Sequence, residues 1–173
     1  MDLSKIKSGN NVPEDINVCI EISAHSQPIK YEIDKDSGAL FVDRIQHNSM
    51  FYPCNYGFVP NTMADDGDSL DALVISKYNL MAGSVINSRP IGVLNMEDEG
   101  GIDAKIICVP STKVCPLYSN ITEIAELDEV LIKEIKFFFS RYKDVQNGKW
   151  VKVYDFGDAA EAKKAIKESI QQV

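Results

Sequence analysis

The hydrophobic residues of this chain change their spacing along its length. In the first two thirds they alternate, as at Val18 and Ile20, which is typical of strands with one buried face. After Asp128 they recur three and four residues apart, as at Leu131 and Ile135, which predicts the core-facing stripe of a helix. A chain with strands first and helices last is expected to form an antiparallel barrel or sheet with helices packed on one side.

The same patterns predict the individual elements. Strands are predicted at residues 17–23, 28–34, 39–43, 70–76, 84–96, 104–109 and 149–154, with helices beginning at Asp128 and Asp158. The segment from Met50 to Pro60 is expected in turns or at sheet edges, because it contains two prolines. With 173 residues, 45% hydrophobic residues and no linker, the chain is predicted to be one domain, 1–173.

The stretch from Asp65 to Asp71 has four aspartates around one glycine. Like charges a few ångströms apart repel by roughly 1 kcal/mol each even in water, and by more once they are desolvated. A bound cation is the simplest relief, and oxygen-only ligands suit the hard ions Mg²⁺, Mn²⁺ and Ca²⁺. A solvated acidic turn stays open as the alternative.

A second acidic cluster, Glu97 to Glu99, precedes the Gly100-Gly101 turn of a predicted hairpin, and Asp103 follows that turn. Two acidic turns joined by antiparallel strands can converge on one metal-filled pocket. An acidic hairpin tip on the surface is the plainer alternative.

Several charged residues on other predicted elements could belong to the same pocket. Glu21 and Lys30 lie on the polar faces of the first two strands, which would otherwise be solvated outer faces. Arg44 ends the third strand. Arg141 and Lys143 lie near the end of the predicted helix, where cations usually interact with the helix dipole.

Composition narrows the classes of partner and compartment. The net charge of −8 disfavours nucleic acid or an anionic membrane as a partner, because both need a basic surface. The four cysteines have no zinc-ligand spacing with the two histidines and are expected to be buried free thiols. The polar N-terminus and the absence of a long apolar run predict a cytoplasmic protein with no membrane span.

Together the motifs resemble those of a known family. The string Asp66-Gly67-Asp68-Ser69-Leu70-Asp71-Ala72 is similar to the signature of the soluble inorganic pyrophosphatases, of the metal-dependent, single-domain bacterial type (family I). Further blocks stand in that family's order: Lys30-Tyr31-Glu32, Asp43-Arg44, Phe51 to Gly57, Asp98-Glu99 with Asp103-Ala104-Lys105, Tyr142-Lys143-Asp144 and Gly148-Lys149-Trp150. Two departures are Ser69, expected to matter little, and Ile102, expected to weaken an accessory metal position.

The resemblance implies an α+β fold, a small antiparallel β-barrel (OB-like) with helices packed on the outside. It also implies a cytoplasmic homohexamer that hydrolyses pyrophosphate with Mg²⁺ and so drives biosynthetic reactions that release pyrophosphate. By resemblance, Asp66, Asp71 and Asp103 hold the first Mg²⁺, while Asp98 and Asp103, helped by Glu21, hold further metals. The phosphate contacts it implies are Lys30, Arg44, Tyr56, Lys105, Tyr142 and Lys143, with Asp68 accepting the proton of the attacking water.

Two functions of other classes are alternatives to this one. A Ca²⁺-binding EF-hand loop fails, because counting from Asp66 the sixth position is Asp71 and not glycine, and the twelfth is Lys77 and not glutamate. An oligonucleotide-binding module would need basic residues interleaved with aromatics, whereas acidic residues outnumber basic ones by 26 to 18.

Overall fold

A computed structural model describes residues 2–170 of the chain. The strands are β1 (Ile16–Ile22), β2 (Ile29–Ile33), β3 (Leu40–Ile45), β4 (Asn55–Phe58), β5 (Asp71–Val74), β6 (Val85–Asp98), β7 (Gly101–Ile102), β8 (Lys105–Pro110) and β9 (Val151–Gly157). The helices are α1 (Glu129–Arg141) and α2 (Ala159–Ile170), with short 3₁₀ turns at Leu3–Lys5, Pro116–Tyr118 and Ile124–Glu126.

Five strands close a ring, which confirms the predicted OB-like α+β barrel. The order is β1, β4, β5, β8 and β6, and β6 pairs back onto β1. All neighbours run antiparallel except β5 and β8, which are parallel. An odd number of strands cannot alternate direction all the way round a closed ring, so the purely antiparallel expectation was wrong for this pair.

The helices cover two hydrophobic clusters to which the strands contribute alternately. Leu73 and Ile107 pack in the cluster that includes α1, while Val74 and Cys108 pack in the cluster that includes α2. Helix α1 begins as predicted, because the Asp128 side chain accepts a hydrogen bond from the Val130 amide at 2.8 Å. Burying a Leu- or Phe-sized side chain stabilises the folded state by about 1.5 to 3 kcal/mol. Both hydrophobic clusters therefore stabilise the packing of the helices against the barrel.

The largest correction to the predicted elements is β4, in the segment assigned to turns or sheet edges. Asn55 to Phe58 are all buried and pair with β1 on one side and β5 on the other. The two prolines, Pro53 and Pro60, lie on either side of this strand and not within it, so no ladder donor is lost. The two prolines therefore indicate where the strand ends, and do not exclude a strand between them.

Three of the four predicted buried thiols are buried, at Cys19, Cys54 and Cys108, whereas Cys115 is half-buried beside the Pro116–Tyr118 turn. All four are free. In the described part of the chain no helix has the length and apolar character required to cross a bilayer. The predicted continuation of α2 to Val173 lies outside the described residues.

Candidate active site

One cavity of about 450 Å³ gathers the residues that the sequence singled out. It is lined by nine of the predicted metal, substrate and proton-transfer residues: Asp66, Asp68, Asp71, Asp98, Asp103, Lys30, Arg44, Tyr56 and Tyr142. Glu21, Lys105 and Lys143 line it as well. The two acidic clusters therefore border one cavity, with Asp66 and Asp68 of the first cluster exposed at its edge.

The centre of this cavity is a buried lysine between two aspartates. Lys105 is 2% exposed, and its Nζ lies 2.6 Å from Asp71 Oδ2 and 2.8 Å from Asp103 Oδ1. The parallel pairing of β5 and β8 places Asp71 directly opposite Lys105, and Asp103 lies two residues before it. The one parallel strand pair in the ring thus brings together carboxylates from both acidic clusters.

Electrostatics keep these central groups in definite protonation states. Burial alone would lower the pKa of Lys105, but Asp71 and Asp103 raise that pKa well above its usual value, so the ammonium stays charged. Burial, together with Asp71, raises the pKa of Tyr56 well above its usual range. The Tyr56 hydroxyl therefore stays protonated and donates to Asp71 Oδ2 at 2.5 Å.

The second acidic turn is held by lysines from beyond α1. Lys143 is buried, and its Nζ donates to Asp98 Oδ2 at 2.6 Å, so its charge is directed at this acidic turn. Partial burial favours a higher pKa for Glu99, but the hydrogen bond from Lys149 and the charge of Lys143 lower that pKa to about 2. Arg141 pairs with Asp144 on the surface and does not line the cavity.

The first acidic loop presents Asp68 at the edge of the cavity. Its backbone amide donates to Asp66 Oδ1 at 3.0 Å, and Gly67 between them has φ of 87°, a conformation that favours glycine. The side chain of Asp68 is 83% exposed and lies 3.5 Å from Lys35 Nζ. Asp68 can therefore contact a water molecule directly. Asp71, in contrast, is held by its ion pair with Lys105.

The β2–β3 hairpin supplies two further cations. Lys30 and Arg44 are paired across its strands, and Asp43 lies between them, with its Oδ2 at 3.8 Å from Lys30 Nζ and 2.5 Å from Arg44 Nε. Lys30 also pairs with Glu32. The two cations thus line the cavity, and the nearby Asp43 carboxylate limits their mutual repulsion.

The alternative that placed Glu21 on a solvated strand face is wrong. Glu21 is 7% exposed, and its Oε1 accepts a hydrogen bond at 2.7 Å from the Ile33 amide of the hairpin. Burial, with a contribution from Asp71, raises the pKa of Glu21 to about 8. Alternation misassigned it because β1 is buried on both faces from Val18 to Ile22.

Glu21 predicts a pH dependence for the metal-free protein. Between its ordinary pKa of 4.5 and about 8, the folded state keeps a proton that the unfolded state has released, so the free energy of unfolding falls as pH rises across that window. Glu21→Gln should make this slope shallower by up to about 1.4 kcal/mol per pH unit, while Gln still accepts from Ile33. Urea unfolding in chelator at several pH values measures the slope.

The matched control is Glu129→Gln, because Glu129 is exposed on α1 and pairs with Lys133 in the following turn. The control should unfold with the wild-type slope. A Glu21→Gln slope equal to that of the wild type would contradict the assignment.

The donor set suits a hard divalent cation. The cavity is lined by eight carboxylates and six cationic side chains. Within residues 2–170, no three Asp, Glu, His or Cys side chains are placed as a ready-made metal site, because lysines occupy the space between the carboxylates. Oxygen ligands are what hard divalent cations prefer, so the residues fit such an ion.

Other lining residues were not assigned roles from the sequence, among them Lys35, Gln46, Gln146 and Lys149. Lys149 belongs to a block that carried the family resemblance, whereas Gln46 and Gln146 show no signal. Of the two departures, Ser69 lines the cavity, while Ile102 does not and is 62% exposed in β7. The expected weakening of a metal position by Ile102 has no support in this geometry.

Comparison with known proteins agrees with the site. The family model described as inorganic pyrophosphatase matches residues 18–173. The chain is 53% identical to the inorganic pyrophosphatase of Pseudomonas aeruginosa, with 98% of this chain and 97% of that protein covered. It is 52% identical to inorganic pyrophosphatase 1 of Pseudomonas syringae, with 99% of this chain and 98% of that protein covered.

A solved structure leads to the same assignment. The inorganic pyrophosphatase of Helicobacter pylori superposes with a TM-score of 0.93 at 46% identity, covering 97% of this chain and 98% of that chain. The resemblance seen in the sequence is therefore confirmed, and the chain belongs to the inorganic pyrophosphatase family of enzymes.

Proposed function

We propose that this protein hydrolyses inorganic pyrophosphate to two orthophosphates in a Mg²⁺-dependent reaction. The observation that carries the proposal is the single cavity in which carboxylates of both acidic turns meet cations of three other elements. A phosphoanhydride needs cations around its oxygens, a positioned water and a base, and this cavity has candidates for each.

The carboxylates would hold the metal. Asp66, Asp71 and Asp103 would hold a first Mg²⁺, and Asp98 and Asp103, helped by Glu21, would hold further metal ions. Bound Mg²⁺ would supply neutralisation of the phosphate charge and lower the pKa of the attacking water. Lys105 would have to release at least one of its two carboxylates when metal binds.

The remaining residues act on substrate and proton. Lys30, Arg44 and Lys143 would donate charge-assisted hydrogen bonds to phosphate oxygens, and Lys105 would join them once released. Tyr56 and Tyr142 would donate through their hydroxyls. Burial raises the pKa of Tyr142 above its ordinary value, so its hydroxyl keeps the proton that it donates. Asp68, exposed at the edge of the cavity, would accept the proton of the attacking water.

The substrate contacts lead to a prediction for Lys30 and Arg44. Lys30→Ala and Arg44→Ala should each remove a charge-assisted contact worth about 1.5 to 3 kcal/mol, and so lower kcat/KM by about one to two decades. Steady-state phosphate release measures the effect. Lys133→Ala and Arg141→Ala, which remove exposed cations of α1, are the controls. Wild-type kinetics in both hairpin variants would rule out these contacts.

The experiment that tests the function is phosphate release from pyrophosphate and from ATP, each assayed with Mg²⁺, Mn²⁺ and Ca²⁺. We expect pyrophosphate with Mg²⁺ to be the preferred pair. Release from ATP that equals or exceeds release from pyrophosphate would overturn the assignment of substrate.

We further propose that the protein works in the cytoplasm, without nucleic acid or membrane partners, where removing pyrophosphate drives the biosynthetic reactions that release it. The acidic net charge of −8 supports the absence of polyanionic partners.

We also propose a homohexamer, as expected from the family resemblance. The β2–β3 hairpin supports association, because Leu40, Phe41, Val42 and Ile45 are exposed on it. Light scattering at micromolar concentration should give about six times the 19.3 kDa chain mass. A mass near that of one chain would refute the proposal.

A further inference from the structure

Asn48 joins the segment after β3 to the end of α1, which lies far from it in the sequence. It follows β3, and its Nδ2 donates to the backbone carbonyl of Tyr142 at 3.0 Å, 94 residues away in sequence. Asn48 does not itself line the cavity. We propose that Asn48 is a positioning residue, which holds Tyr142 and Lys143 in the geometry that binds phosphate. This inference rests on the proposed function.

A hydrogen bond to the Tyr142 carbonyl can fix the orientation of the turn that ends α1. Tyr142 is the C-cap of α1, and the last carbonyls of a helix have no partner within the helix. Lys143 follows directly and reaches Asp98 at 2.6 Å. The proposed phosphate contacts of Tyr142 and Lys143 therefore depend on the orientation of the short turn after α1. The hydrogen bond from Asn48 to the Tyr142 carbonyl restricts that orientation.

A second link from Asn48 leads to the aromatic wall of the cavity. Its Nδ2 also lies 3.4 Å from Gln46 Oε1, and Gln46 Nε2 lies 3.4 Å from the Tyr52 hydroxyl. The Tyr52 ring packs against Tyr56 with centroids 5.3 Å apart. The two amides thus connect the α1 terminus with the wall that carries the Tyr56 hydroxyl.

The same network reaches the hairpin. The backbone amide of Gln46 donates to the Pro28 carbonyl at 2.8 Å. Pro28 lies one residue before β2 and two before Lys30. Asn48 is therefore bonded directly to the end of α1, and through Gln46 it is linked to the hairpin and to the aromatic wall. Because misplacement of a binding group by about 1 Å can cost up to about 10²-fold, loss of this hub should weaken phosphate binding.

Asn48 also makes a local hydrogen bond, and a test must distinguish its effect from that of the bond to Tyr142. Its Oδ1 accepts from the Met50 amide at 2.9 Å, which stabilises the turn between β3 and β4. Asn48→Asp keeps this acceptor and loses the donor to Tyr142, whereas Asn48→Ala loses both. The two variants therefore distinguish positioning of Tyr142 from support of the local turn.

The experiment measures kcat and KM for pyrophosphate, and the affinity for a non-hydrolysable imidodiphosphate by calorimetry. We expect both Asn48 variants to raise KM and the analogue Kd about tenfold while kcat falls less than about threefold. Ser49→Asp controls for the added charge, since Ser49 is the exposed neighbour, and should behave like wild type. Thermal unfolding checks that every variant is folded.

Wild-type KM and analogue affinity in Asn48→Asp would overturn the inference, even if Asn48→Ala were impaired, because the local turn would then explain the residue. A loss equal to that of Asn48→Asp in Ser49→Asp would also overturn it. If wild-type protein fails to hydrolyse pyrophosphate at all, the proposed function fails instead, so the two failures are distinguishable.

Discussion

Asp68→Asn should lower turnover by about 10² to 10⁴, the usual effect of removing a positioned base. The Asp68 side chain is 83% exposed at the cavity edge and is held in place through the Asp66–Gly67–Asp68 turn. Asn has the same shape but cannot accept the proton of a water. Added Mg²⁺ should not restore the rate, and the acidic limb of the pH–rate profile should move.

The matched variant is Asp71→Asn, which removes a proposed metal ligand from the same stretch. This variant should require more Mg²⁺ for activity, and added Mg²⁺ should recover part of its rate, because a ligand acts through its charge on the ion. Equal rescue of the two variants by Mg²⁺, or an Asp68→Asn variant that keeps most of its turnover, would show that the roles of the two aspartates are not divided in this way.

Lys105→Met should destabilise the metal-free protein by about 3 to 5 kcal/mol, because removing one partner of a buried ion pair leaves uncompensated charge. Lys105 is the only cation within hydrogen-bonding distance of Asp71 and Asp103 among the described residues. Met fills a similar volume, so the loss is electrostatic and not a cavity effect. Urea unfolding in chelator measures the change.

Mg²⁺ should restore much of that lost stability, since it would replace the ammonium as counter-charge for the two aspartates. Lys149→Met is the control: Lys149 is a half-exposed partner of Glu99, and its loss should cost at most about 1 kcal/mol. A Lys105→Met variant as stable as wild type in chelator would mean that the buried ion pair does not hold the two acidic clusters together.

The sequence predicted elements best where apolar residues were dense or regularly spaced and a cap or turn residue marked their ends. The start of α1 followed from the Asp128 cap and its apolar stripe, and the β6–β8 hairpin followed from the apolar runs on both sides of the Gly100-Gly101 turn. It failed at β4 and at Glu21, where strands are buried on both faces and alternation between polar and apolar residues carries no information about exposure.

For the site, the residue types were predictable and their pairings were not. The family resemblance named twelve residues that all line one cavity. It could not show that Lys143 binds Asp98 or that Lys105 lies between Asp71 and Asp103, because these contacts depend on how α1 and the parallel β5–β8 pair are placed in three dimensions. Asn48 was missed for the same reason, since its partner is a backbone carbonyl 94 residues away.

The measurement that tests the central claim most directly is phosphate release from pyrophosphate by one preparation, first dialysed into chelator and then returned to excess Mg²⁺, with Asp68→Asn purified in parallel. The account predicts essentially no release in chelator, rapid release after Mg²⁺ is restored, and at least about 10²-fold less from the variant. Substantial release in chelator, or none after Mg²⁺ is restored, would contradict it.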